Sequence, residues 1–122
     1  MDYLVCVLPQ SAATRQVVDK ALLGVLSRRA VVINVGRGSA LDETALVEAL
    51  ESGRIAGAVL DVFLEEPLPP EHIFWRTPNL LISSHTAAPT IPGDIVGVFL
   101  DNYSRLLRGE GLRYQVDFAL GY

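Results

Sequence analysis

The sequence predicts an α/β protein built on a parallel, doubly wound sheet. Three observations carry this: apolar, β-branched runs that stop abruptly at polar or glycine positions, aspartates placed to cap helices between those runs, and connections short enough for strand–helix–strand units. Runs of this kind read as strands buried on both faces. In such sheets a ligand sits outside the carboxyl ends of the strands.

The elements follow in order. Tyr3 to Leu8 is a continuous apolar run stopped by Pro9 and reads as a first buried strand. Asp19 caps a short helix from Lys20 to Leu26, which ends in the basic pair Arg28-Arg29 near its negative pole. Ala30 to Val35 is a second strand, ended by Gly36-Arg37-Gly38. Asp42 caps a helix through Leu50, and Gly53 stands just past its end. Ile55 to Leu60 is a third strand reaching Asp61. A proline-rich loop with Pro67, Pro69, Pro70 and Pro78 leads to a brief fourth strand, Leu80 to Ile82, running into Ser83-Ser84-His85. From Pro92 to Arg108, Ile95, Val96, Phe99, Leu100, Tyr103, Leu106 and Leu107 recur at helical spacing, and Gly109 and Gly111 close that helix. This divides the chain into a strand/helix half over 1–91, a long helix over 92–109 and an extended tail over 110–122.

Composition narrows the function. With 122 residues there is material for one core, and half of them are hydrophobic, at a mean hydropathy of +0.33. That excludes a disordered tail and favours a partly buried chain or an oligomer. Ten Lys and Arg against fourteen Asp and Glu give a net charge of −4, with no basic run, so nucleic acid is not expected as a partner. Cys6 alone excludes an intrachain disulfide and reads as an inert core thiol. No apolar stretch reaches the roughly 20 residues that span a bilayer, and the Met-Asp start carries no basic leader, so the expectation is a cytoplasmic chain without a membrane partner.

Four strand ends carry four polar clusters: Pro9 to Thr14, Gly36-Arg37-Gly38, Asp61 and His85. Glycines flanking Arg37 allow close backbone approach, so backbone N–H groups and a rigid guanidinium can meet an anionic ligand; the tripeptide is equally compatible with an Arg in a solvated turn. Taken singly, Glu66 is an ordinary loop carboxylate and His85 an ordinary strand-end residue. Together, Arg37, Glu66 and His85 form a set able to orient a carboxylate, raise a histidine pKa and transfer a proton. His72 reads as a surface residue, and Phe74 and Trp75 as packing for the proline-rich loop. No metal site is expected: His72 and His85 lie thirteen positions apart on different elements, with no recognised ligand spacing.

Leu8-Pro-Gln-Ser-Ala-Ala-Thr14, Ile33-Asn-Val-Gly-Arg-Gly38, Gly57-Ala-Val-Leu-Asp-Val-Phe63, Glu66-Pro-Leu-Pro69, Pro78-Asn79, Ser84-His85 and the terminal Gln115-Val-Asp with Gly121-Tyr122 give the chain its resemblance. It resembles the D-isomer-specific 2-hydroxyacid dehydrogenases over essentially its whole length, and within them the glyoxylate/hydroxypyruvate reductase A group. The resemblance implies a Rossmann-like nucleotide-binding domain, of which this is the second half plus a C-terminal helix. It implies an oxidoreductase that reduces small 2-oxo acids such as glyoxylate or hydroxypyruvate with NAD or NADP, with NADP favoured. By the same token Arg37 would bind the substrate carboxylate and carbonyl oxygen, His85 would protonate that oxygen, and Glu66 would hold His85. Asp61 would accept from the nicotinamide carboxamide, while Pro9, Thr14, Val35, Gly36 and Ala87, with Arg37 and His85, would line the cofactor.

Two departures stand out. Ser84 occupies the position before the histidine where the family usually has proline. No Gly-x-Gly-x-x-Gly turn occurs, so the chain is expected to begin inside the nucleotide-binding domain and to be inactive alone. It would then associate with its missing half or form a homodimer. The competing expectation is a non-catalytic, dehydrogenase-like interaction or dimerisation module.

Overall fold

The computed structural model describes residues 2–122 and divides into two compact units, one ending at Ala87 and the other covering Ala88–Tyr122. In the first unit, β1 (Tyr3–Cys6), β2 (Val31–Asn34), β3 (Gly57–Leu60) and β4 (Leu80–Ile82) lie in the order β1-β2-β3-β4, every neighbour parallel. This is one winding direction of a doubly wound sheet. The first two crossovers are α1 (Lys20–Val25) and α2 (Glu43–Glu51), which pack against each other, and the third, from β3 to β4, runs through the proline-rich loop and a 3₁₀ turn.

Local chemistry fixes both helices. The Asp19 carboxylate accepts from Leu22 N at 2.8 Å and that of Asp42 from Ala45 N at 3.0 Å, caps worth about 1 kcal/mol each. Beyond α2, Gly53 adopts φ +64°, where a side chain would be strained. Arg28 and Arg29 lie beyond the end of α1, so the expected basic last turn is absent; the helix stops at Val25 because Leu26 turns extended to enter the core.

That core lies between the helices and one sheet face. Leu23, Leu46, Leu50, Val32, Ala58 and Leu60 meet there, and Leu46 and Leu60 have no exposed surface. Each such leucine contributes about 1.5–3 kcal/mol. Cys6 is buried on β1. The expectation of strands buried on both faces fails for β1. Tyr3 is 67% and Val5 54% exposed, and Val5, Ile33, Val59 and Leu81 form a register row in which Leu81 is 69% exposed. Side chains alternate across a strand, and the core of this unit lies on the side of Cys6, Val32, Ala58 and Leu60.

The second unit is built around α3 (Pro92–Leu107). Pro92 occupies its first turn with Asp94, and Arg105 sits in its last turn, 3.2 Å from Asp101, so the charges complement the helix dipole. Phe99 and Tyr103 stack at 6.1 Å, and no residue of α3 is buried. Past Gly111 the chain is not uniformly extended. Asn102 clamps Arg113 through both its amide atoms, and Asp117 closes a turn with Gly121 N donating to its carbonyl at 2.7 Å. No helix among the described residues is long and apolar enough to cross a membrane.

Candidate active site

Because all four strands are parallel, their carboxyl ends share one sheet edge, and the four polar clusters are delivered there. The turn after β2 is shaped from below by Asn34. This side chain, 1% exposed, accepts from Gly36 N and donates to Arg37 O, both at 3.1 Å. A lone polar residue inside an otherwise apolar strand is the sequence signal for such a role, because a buried amide must find partners. The flanking glycines serve backbone packing. A Cβ on Gly36 would lie 2.7 Å from Leu8 N and O, and one on Gly38 would lie 2.0 Å from Phe63 C and O. Neither glycine adopts positive φ.

Asp61, at the end of β3, is 2% exposed. Its Oδ1 accepts from the Ser83 hydroxyl and from Thr86 N at 2.9 Å, and its Oδ2 accepts from Ala87 N at 2.9 Å. Burial alone would raise its pKa. The hydrogen bonds from Ser83, Thr86 and Ala87, with the nearby charge of His85, outweigh burial and hold the carboxyl below its ordinary value of 3.8. The Asp61 carbonyl also accepts from His85 N at 2.7 Å. His85 is thereby held at φ +56°, a left-handed conformation uncommon outside glycine. The rigidity that a proline before the histidine would give comes here from this Asp61 clamp. Ser83, which sequence reasoning passed over, is part of it.

His85 Nδ1 lies 2.7 Å from Glu66 Oε2, and Glu66 Oε1 accepts from Phe63 N at 2.9 Å. The hydrogen bond with His85, that from Phe63 N and the charges of His85 and Arg37 hold the Glu66 carboxyl below its ordinary 4.5, against a smaller opposing effect of burial. Arg37, Glu66 and His85 all line one cleft of about 400 Å³. In it the Arg37 guanidinium donates to Gly36 O at 2.7 Å. Glu66, His85 and Phe63 also border a larger cavity of about 760 Å³ whose other walls include Leu68, Ile82 and Trp75. A carboxylate-backed imidazole beside a guanidinium can bind an anionic oxygen and pass a proton to it.

The remaining expected residues fall nearby on the same edge. Thr14 Oγ1 donates to Pro9 O at 2.6 Å, which closes their loop, and Val35 N donates to Cys6 O at 3.0 Å. Ala87 reaches the site through its backbone N–H alone. His72 is not a free surface residue. Its Nδ1 accepts from Phe74 N, its Nε2 lies 3.5 Å from Glu43, and its ring meets Phe74 edge-on at 4.6 Å, because it starts the 3₁₀ turn Ile73–Arg76. Phe74 is buried as expected for packing. Trp75 is 54% exposed, its indole N–H held by Pro69 O at 2.8 Å, and it lines the larger cavity instead of filling the loop.

Residues 1–87 match the family described as D-isomer specific 2-hydroxyacid dehydrogenase, NAD binding domain. Among curated proteins, the chain is 40% identical over 119 residues to a glyoxylate/hydroxypyruvate reductase A of Photorhabdus laumondii, covering 98% of this chain and 38% of that protein. Among solved structures it is similar to a D-isomer specific 2-hydroxyacid dehydrogenase of Xanthobacter autotrophicus in complex with NADPH, at 40% identity and TM-score 0.93, over 99% of this chain and 50% of that one. An NADPH-dependent glyoxylate/hydroxypyruvate reductase of Sinorhizobium meliloti in complex with NADP and sulfate aligns at 38% identity and TM-score 0.92, over 99% and 40% of the respective chains. The chain thus spans about 38% of the length of the curated relatives it matches.

Proposed function

The chain belongs to the D-isomer specific 2-hydroxyacid dehydrogenase family, and from that premise we propose that it carries the proton-transfer half of a 2-oxo acid reductase. The observation that carries this reading is the 2.7 Å pair of His85 Nδ1 and Glu66 Oε2 in the cleft that also holds Arg37. Arg37 binds the substrate carboxylate and its carbonyl oxygen. Glu66 holds the imidazole through Nδ1 and so orients it toward the cleft. His85 then gives its proton to the carbonyl oxygen while C2 accepts a hydride, which yields a D-2-hydroxy acid.

The donor set suits a nicotinamide beside these residues. Asp61 is ionised and, with one oxygen accepting a single bond, retains capacity for a carboxamide N–H. Pro9, Thr14, Val35, Gly36 and Ala87 would line the group with it, and when bound it supplies the hydride. NADPH is the proposed nucleotide, on the strength of the Xanthobacter and Sinorhizobium relatives. Glyoxylate and hydroxypyruvate are the proposed substrates, on the strength of the curated relatives' names. Alone the chain is inactive, because positioning substrate against cofactor takes more surface than its cleft offers. Activity comes with the rest of such an enzyme, or in a dimer.

A chimera tests this: the chain replaces the matching 119 residues of the Photorhabdus relative, and NADPH oxidation is followed with glyoxylate and hydroxypyruvate. Turnover is expected in the chimera and not in the chain alone, with His85→Gln slower by at least about 100-fold. A chimera that folds and binds NADPH yet reduces neither acid overturns the reading. The open row Val5, Ile33, Val59 and Leu81 supports the second reading, a non-catalytic interaction module. In that case Arg37→Gln would leave partner binding intact and there would be no turnover to lose.

A further inference from the structure

The cleft around Arg37 and His85 holds a second cation that the function above leaves unused. Arg15 lines it, together with Gln10, Gln16 and Ser39. The loop that carries Arg15 is braced on both sides. Before it, Thr14 Oγ1 accepts from Ser11 N at 2.9 Å and donates to Pro9 O. After it, Gln16 N donates to Ser39 O at 2.8 Å, and Val18 pairs with Leu41 in a parallel bridge. Gln16 is held at φ +49°, a conformation that side-chain-bearing residues rarely adopt and that concentrates at functional sites.

The charges in the cleft do not cancel. Among the described residues no ion pair engages Arg15 or Arg37. Glu66 is the one carboxylate lining the cleft, and it is bound to His85 and to Phe63 N. Glu43, on α2, is committed to Leu64 N and His72. When His85 holds the proton it is to transfer, it and Glu66 offset each other, and two guanidinium charges remain in about 400 Å³ of a chain whose net charge is −4. A monocarboxylate offsets one of them. We propose that Arg15 forms a subsite for a second carboxylate, so that the site accepts 2-oxo and 2-hydroxy dicarboxylates in addition to glyoxylate and hydroxypyruvate and binds them more tightly. A guanidinium meets a carboxylate through paired N–H donors, and neutral donors such as Gln10, Gln16 and Ser39 complete such a subsite. The inference rests on the reading that Arg37 and His85 hold the substrate.

Calorimetric titration of the full chain with glycolate and with tartronate tests it at fixed ionic strength, since these 2-hydroxy acids differ by one carboxylate. Tartronate is expected to bind about tenfold more tightly. Arg15→Gln is expected to weaken tartronate about tenfold and glycolate by less than about threefold. Arg28→Gln, the same charge change outside the cleft, leaves the preference in place. Equal binding of the two acids, or a tartronate preference that survives Arg15→Gln, overturns the subsite. Glycolate binding indifferent to Arg37→Gln overturns the reading beneath it, and a chain that binds neither acid overturns both.

Discussion

Asp61 and Glu66 stand five positions apart, both with depressed pKa values, yet they belong to regions of opposite design. Asp61 is a buried carboxylate whose partners are backbone N–H groups and a serine of its own unit. Glu66 is half-exposed, and its strongest partner is a histidine ring that opens onto a cleft. The first arrangement ties β3 to the segment after β4 and leaves one Asp61 oxygen with capacity for a further donor. The second holds charge where solvent and ligand can reach it. A depressed carboxyl therefore reports satisfied hydrogen bonds in both places, and exposure of the partner tells how much of its effect is structural.

The largest test of this contrast is Asp61→Ala, which strands the N–H groups of Thr86 and Ala87 and the hydroxyl of Ser83. We expect unfolding free energy to fall by about 2–4 kcal/mol in urea titration; a loss below about 1 kcal/mol would mean that Asp61 does not clamp the segment after β4. Acid comes next. Both carboxyls titrate lower in the folded chain than in the unfolded one, so their stabilisation is fully present above their ordinary values of 3.8 and 4.5. It disappears as pH falls through the lower folded values. Stability measured from pH 6 to 2 should be level and then decline below about pH 4, and the decline should flatten more in Asp61→Asn than in Glu66→Gln.

Smaller effects belong to the cleft. Glu66→Gln removes an ion pair whose partners are 50% and 35% exposed, so its stability cost should stay under about 1 kcal/mol. In the chimera described above it should slow reduction about tenfold, because His85 loses the carboxylate that orients its ring. Arg37→Gln should leave stability within about 0.5 kcal/mol while abolishing turnover in that chimera. An unfolding midpoint that drops with Arg37→Gln as it does with Asp61→Ala would erase the distinction between the two regions.

Much of this protein is legible without coordinates, and the reason is that the signals are local. β-branched runs, Asp19 and Asp42 as caps, Gly53 past a helix and the apolar spacing of α3 each act over a few residues, so element order and a parallel sheet follow from the chain itself. The family's motifs pointed to Arg37, Glu66 and His85, three residues that share one cleft. Tertiary structure alone decided the rest. It showed that Tyr3, Val5 and Leu81 are exposed, since a strand's composition does not say on which side its unit places its core. It turned Gly38 into a contact with the Phe63 backbone and made Asn34 the support of the Arg37 turn. It joined Asp61 to Ser83, Thr86 and Ala87 across more than twenty residues, and set Arg15 in one cleft with His85. Contacts of that sequence separation arise only when the strands pair and bring their carboxyl ends to one edge, so no local pattern records them.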